Sequence, residues 1–517
     1  MNTSLFAFCG KRLSAACKTS LGVEAEKVRL ATLALFISLI CSLAYIPRTC
    51  LVGASEGTIH IRPDGSVEGT AYIESGDTTT YVFTADINEP VIVQRSNIIV
   101  DGNRHVLNGS GSVGMTGFHV ENAFNVTIKN VDITGFGSGV VFSQSRKVTV
   151  AENTIRNCSL GVVIYSTSQE NTVVGNRIAN TQAGITLSMG TSNNTILRNI
   201  IENEGTHGMR LSGFTNTVVG NNISSRTKHG DYAGLFLEDF ISGRVIGNRV
   251  EDSRVGVWIG DWAESNDIIG NTVLSSFYGV YMTNRSIYNV VCGNYVVQAE
   301  EYALVSHASY NLVYHNNIIA SVNRSVLVVE GTNFWDNGVE GNYWSDLASV
   351  DSDRDGILDK AHQINANNVD RFPLAGLFSE FNATLAGHVQ VVCDSSISNF
   401  HFDGAAIRFY VTGEDGAAGF CRMCIPKALI GEPYRVLVNG SEPDYVDYMV
   451  FDNGSHRWIY FEYSLSAREV VVVAEFQLSH ALLFFMAATL LAVTVLGRKR
   501  SNRAGSQLRI LREMSSK

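Results

Sequence analysis

Proline is nearly absent, with 7 in 517 residues against 47 glycines. Each proline would remove a backbone donor from a strand ladder, so its scarcity suits stacked parallel coils. A basic excess is also missing from the body of the chain. Residues 1–50 and 498–517 carry 6 and 7 Lys+Arg against 2 and 1 acidic residues. The remainder holds 26 basic and 46 acidic side chains, a net of −20. That balance argues against nucleic acid as a partner and is compatible with cations or neutral sugars. No Met-x-Met or His-x-His pair occurs, which disfavours a copper site. Cys421-x-x-Cys424 has the spacing of a redox pair or half of a zinc site, but no second CxxC accompanies it and no helix start is evident, which disfavours both. No specific catalytic signature stands out.

What is present is a repeat. Gly-Asn recurs at Gly175-Asn176, Gly220-Asn221, Gly247-Asn248, Gly270-Asn271 and Gly293-Asn294, with Asn130, Asn153, Asn199 and Asn316 assigned to the same slot. Most steps are 22 or 23 residues, and one is 27. A second phrase keeps the beat: Gly139-Val-Val-Phe, Gly161-Val-Val-Ile, Gly184-Ile-Thr-Leu, Gly208-Met-Arg-Leu, Gly234-Leu-Phe-Leu, Gly256-Val-Trp-Ile and Gly279-Val-Tyr-Met. A fixed period of this length predicts a solenoid. The runs alternate apolar and polar residues and are rich in Val, Ile and Thr, which is strand chemistry. A helical pair would need about 30 residues and better helix formers. One coil of a parallel β-helix fits, with an internal asparagine ladder.

In order, residues 1–50 read as a basic, then apolar, signal leader. Residues 57–102 read as an N-terminal cap and 103–345 as a β-helix of about ten coils, with Asn103 and Asn342 extending the ladder. Residues 346–379 form a C-terminal cap, and 380–477 a small β-sandwich acting as a stalk. Residues 478–497 are apolar and followed by Arg498-Lys499-Arg500, which predicts a transmembrane helix with 498–517 as a cytoplasmic tail. The expected fold is thus all-β with one membrane span, the bulk extracellular at the cell surface. Beyond the leader, ten Asn-x-Ser/Thr sequons are compatible with export and glycosylation.

Asp351-Ser-Asp353-Arg-Asp355-Gly356-Ile357-Leu358-Asp359 places carboxylates at positions 1, 3, 5 and 9 around a glycine turn. With the Ile357 carbonyl these oxygens suit a structural calcium ion; the alternative is a solvated acidic turn. Cys393 is a disulfide candidate with Cys421 or Cys424. Metal binding with His388 or His401 is the other reading.

Alternation turns the third residue of each Gly phrase outward. The expected outward column is Val141, Val163, Thr186, Arg210, Phe236, Trp258, Tyr281 and Leu304. Exposed aromatic faces at one-coil spacing suit pyranose rings. Asp239 and Asp261 follow on adjacent coils, flanked by Glu238 and Trp262. An insertion bearing Lys228, His229 and Asp231 lengthens one coil. The paired aspartates could act as acid and base. They could instead hold calcium for a lyase, with Lys228, His229 or Arg210 as base. A third reading is a covered aromatic column without function.

The repeat, its lead-in and the ending Gly341-Asn-Tyr-Trp-Ser-Asp346 resemble the NosD/CASH-type β-helix group over roughly residues 57–375. The group is common on archaeal and some bacterial surfaces. The resemblance implies the right-handed β-helix. It leaves function open among sugar binding, sugar cleavage and assistance in copper-site assembly. Gly419-Phe-Cys-Arg-Met-Cys-Ile-Pro-Lys427 resembles a membrane-proximal module of archaeal surface proteins. The expected activity is binding of polysaccharide or glycan along one face, by a chain more a binder than an enzyme. Runners-up are a polysaccharide lyase, hydrolase or epimerase, and a structural surface protein contacting other surface proteins.

Overall fold

The computed structural model describes residues 57–474, except 166, 204–206, 227–229, 321–324, 385–386 and 465–467, together with 489 and 491–496. Two compact units divide the chain, Met1–Thr58 and Ile59–Lys517; the fold described is that of the second.

Strands of three to five residues stack coil upon coil in parallel register. Asp267–Ile269, Thr272–Leu274 and Tyr278–Met282 form one coil. They pair with Val290–Cys292, Tyr295–Ala299 and Tyr302–Ser306 of the next. The result is a 22-stranded sheet, two strands from each coil, facing a 12-stranded one. That makes about eleven coils. Alternate residues turn inward, so the interior is one continuous column of Val, Ile, Leu and Phe. The glycine phrase has a steric cause. A Cβ on Gly161 would overlap the Gly184 carbonyl of the next coil, and one on Gly184 would crowd the Gly208 carbonyl.

Two asparagine ladders run through the turns. In the first, each Nδ2 donates to the next Oδ1 at 2.9–3.0 Å, from Asn153 through Asn176, Asn199, Asn221, Asn248, Asn271, Asn294 and Asn316 to Asn342. Each Oδ1 also accepts a backbone N–H, and each Nδ2 reaches a backbone carbonyl, as Asn271 does to Val245. Buried amides satisfied on every side cost little to bury. Asn130 is one residue out of this slot. Val131 fills it and donates its N–H to Asn153 Oδ1, while Asn130 bonds Asp101 at the surface. The second ladder lies five residues earlier in most coils. It runs Asn171–Asn194–Asn216 and, after a break, Asn266–Asn289–Asn311–Asn333. The break is Gly243, where the buried Phe240 ring occupies the space a side chain would need.

Both ladders end on one hairpin, His362–Asn365 with Asn368–Asp370. Asn368 Oδ1 accepts from Asn333 N and Trp335 Nε1, each at 2.9 Å. Asp370 Oδ2 accepts from Asn342 N and Trp344 Nε1, each at 2.8 Å. A side chain at Gly341 would overlap the Asp370 carboxylate. The Gly-Asn-Tyr-Trp phrase is thus the socket for Asp370.

Beyond it, nine antiparallel strands form a sandwich. Leu377–Thr384, Gly387–Cys393, Ala418–Pro426, His456–Ser464 and Tyr445–Asp452 make one sheet, and four strands the other. Val391, Phe409, Met423, Ile459 and Val472 pack between them. The expected transmembrane helix does not hold. Among the described residues no helix is long and apolar enough to cross a membrane. Of residues 478–497 the described ones are 489 and 491–496, and they are helical. The rest of 478–497, the 1–50 leader and the 498–517 tail lie outside the described residues.

Candidate functional site

The outward column is real in its central coils. Register links Thr186 to Arg210, Arg210 to Phe236, Phe236 to Trp258 and Trp258 to Tyr281. Their neighbours Leu235, Leu237, Val257, Ile259 and Met282 are fully buried. The next rung is Val305 rather than Leu304, which faces the core beside Val280. The extra residue lies between Gln298 and Tyr302: Gln298 still stands one period beyond Ser275, and Glu300 N still bonds Ser276 O, but Tyr302 rather than residue 301 pairs with Tyr278. At the other end Val141 and Val163 are buried, so the open part of the column begins at Thr186.

Five half-buried rings follow one another there. His207 stacks on Phe236 with centroids 5.1 Å apart. Phe236 meets Trp258 at 5.0 Å, Trp258 meets Tyr281 at 5.6 Å, and Tyr281 meets His307 at 5.6 Å. Tyr281 Oη and His307 Nε2 are hydrogen-bonded at 3.1 Å. Trp258 Nε1 has no acceptor among the described residues. Arg210 lies 6.0 Å over Phe236 and is held by Glu238 at 2.5 Å. Burial, helped by Arg210, lowers the His207 pKa to about 4, which leaves its Nδ1 free to accept from Ala233 N. The histidines escaped sequence reasoning because both lie outside the Gly phrase; the signal was His207-Gly208.

Asp239 and Asp261 occupy adjacent coils, joined by Asp239 N donating to Asp261 O at 3.0 Å. Burial raises the Asp239 pKa, and the charges of Glu238 and Asp261 push it the same way. Trp262 is 56 % exposed and pairs with Arg285, 5.0 Å over its ring, rather than with the ladder. Asp231 is exposed. Lys228 and His229 lie outside the described residues.

The comparisons with known proteins divide along the chain. The right-handed β-helix region pattern matches residues 69–223 and 116–273. The pattern of NosD, described as a periplasmic copper-binding protein, matches residues 216–349. This is a NosD-like right-handed parallel β-helix protein. No curated protein sequence matches it. Among solved structures, the Dettilon tailspike protein is 12 % identical, over 74 % of this chain and 87 % of that one, with a TM-score of 0.33. The mannuronan C-5 epimerase AlgE6 A-module of Azotobacter vinelandii is 11 % identical over 49 % and 87 %, at 0.34. The periplasmic alginate epimerase AlgG is 16 % identical over 53 % and 67 %, at 0.32. At these scores none of the three bears on substrate or chemistry.

In this NosD-like protein the acidic loop gathers three of its four aspartates. One carboxylate oxygen each of Asp351, Asp353 and Asp359 lies within 4.8 Å of the others. Asp355 instead accepts from Ile357 N at 2.7 Å. Asp351 accepts from Asp355 N and Gly356 N. Oxygen donors alone suit a hard cation such as calcium better than copper. The cysteines fall on strands. Cys421 and Met423 face the sandwich core, while Arg422 and Cys424 face the β-helix cap. Residues three apart on a strand point to opposite sides, so Cys421 and Cys424 cannot act as one pair. Cys393 and Cys421 lie directly opposite on neighbouring strands, with sulfurs 2.9 Å apart. His388 and His401 are exposed and do not join them.

Proposed function

We propose that this β-helix binds a polysaccharide or glycan along the ring column of Phe236, Trp258 and Tyr281. The observation that supports this reading is the run of outward rings at one-coil spacing. Arg210, Glu238 and Asp239 lie beside it as hydrogen-bonding groups. Sugar rings offer apolar faces to aromatic rings and hydroxyls to carboxylates and guanidinium. The NosD-like family adds only that such coils tolerate many functions. Loop 351–359 holds calcium in this reading and ties down the C-terminal cap. The body lies outside the cytoplasm, a placement that glycan analysis of the ten sequons in the native host would test.

A second reading, an enzyme on the same glycan, is favoured by one observation. Asp239 has a raised pKa beside Asp261, as a general acid requires. Copper has weaker support: among the described residues the one converging group of three or more His, Cys, Asp or Glu is the aspartate set. The test is a screen of glycans and soluble polysaccharides on the full chain, with product analysis on the same samples. Binding without new sugar ends supports the binding protein. Products lost in Asp239→Asn or Asp261→Asn support the enzyme.

A further inference from the structure

A cleft of about 840 Å³ opens where the β-helix meets the sandwich. Its floor is the corner held by Gly247, Gly270 and Gly293, with φ of 60 to 65°. Backbone bonds join this corner from coil to coil. The same corner is Glu152 at φ 56°, Arg198 at 52° and His315 at 57° in other coils, so the conformation does not demand glycine. Space does not demand it either, since a Cβ on Gly247 or Gly270 would meet no atom within 4 Å. Three successive glycines therefore keep the floor bare. Tyr295 and Tyr314 line its sides.

The facing wall is Leu377–Thr384, the outermost strand of its sheet. In an antiparallel pair both backbone groups of one residue face the same side, and successive residues alternate. The Asn317 side chain takes both groups of Phe378. Its Nδ2 donates to Phe378 O, and Phe378 N donates to its Oδ1, each at 2.8 Å. Phe378 thus faces away from Gly387–Cys393, and so do Glu380 and Asn382. No strand among the described residues pairs with that outer edge. Asn317 stands where the first residue of an added strand would stand.

We propose that this cleft takes an extended peptide from a partner protein, added as a strand along Glu380 and Asn382. An open strand edge supplies backbone hydrogen bonds, and the glycine floor admits the peptide beside the tyrosines. Glu380 is the one Asp, Glu, Lys or Arg among the described lining residues, so the peptide carries a basic side chain. This reading is independent of glycan binding on the aromatic column.

The test pans displayed random heptapeptides on the full chain, then titrates a synthetic copy of an enriched sequence by fluorescence anisotropy. Two variants accompany it, each checked for an unchanged unfolding midpoint. Glu380→Pro removes the outward N–H and leaves the ladder to Gly387–Cys393 intact, as edge strands tolerate. Gly270→Arg fills the floor with the residue that the corner already holds at Arg198. The expected result is β-branched sequences with a Lys or Arg, each variant weakening binding at least about tenfold. No enrichment, or affinity unchanged in either variant, overturns the proposal. So does an oligosaccharide that is lost in Gly270→Arg and kept in Glu380→Pro, which would make the cleft a sugar site.

Discussion

Glu340, at the end of the β-helix, and Arg422, in the sandwich, form an ion pair with side chains only 5 % and 3 % exposed. His315 Nε2 reaches the other Glu340 oxygen at 2.6 Å, and Trp458 Nε1 donates at 2.9 Å. Burial would raise the Glu340 pKa, but Arg422, His315 and Trp458 hold it down at about 2. The pair fixes one domain on the other. Removing one partner strands a buried charge, at a cost of about 3–5 kcal/mol. Arg422→Met is expected to lower stability by that amount and expose the junction to proteolysis. Adding Glu340→Gln should restore part of the loss. Denaturant unfolding of the single and double variants measures both.

Asp370 titrates in the opposite sense. Burial raises its pKa to about 6, despite donors from Trp344, Asn342 and Phe372. The folded cap holds this proton more tightly than the unfolded chain does. The resulting stability is complete below about pH 3.8 and is lost as pH rises through about 6. The loss is on the order of 2–3 kcal/mol. Asp370→Asn should flatten that slope, and unfolding midpoints between about pH 4 and 7 test it.

Much of this was legible in the repeat, because each coil restates the same steric needs. Gly161 and Gly184 must admit a neighbour's carbonyl, and Asn176 must bond Asn199. The second ladder was equally visible, as Asn266 before Asn271 and Asn289 before Asn294, yet it was not drawn from the sequence. The rest depended on events that a period does not record. One extra residue between Gln298 and Tyr302 moved Leu304 inward, and strand alternation separated Cys421 from Cys424. Asp370 joined Gly341 across the hairpin that closes the helix.

Calcium is expected to stabilise the full chain by about 2.7 kcal/mol at a hundredfold excess over Kd, and so to raise its unfolding midpoint. Asp351→Asn with Asp353→Asn should abolish the effect. Scanning fluorimetry with calcium, magnesium and chelator is the measurement, and an identical midpoint in all three would leave the loop a solvated turn.

Cys393 and Cys421 are expected to form a disulfide under oxidising conditions. Peptide mapping should recover them linked, with Cys424 alkylated as a free thiol without prior reduction. Closing that loop contributes about 3 kcal/mol, so Cys393→Ser should lower stability only in the absence of reductant.

The central claim rests on Trp258. The direct measurement is binding of a soluble polysaccharide, chosen from the screen, to the full chain and to Trp258→Ala by isothermal titration. The account predicts a loss of at least about tenfold in affinity, with an unfolding midpoint close to that of the parent. A polysaccharide bound equally well by Trp258→Ala, or none bound by the parent, would contradict it.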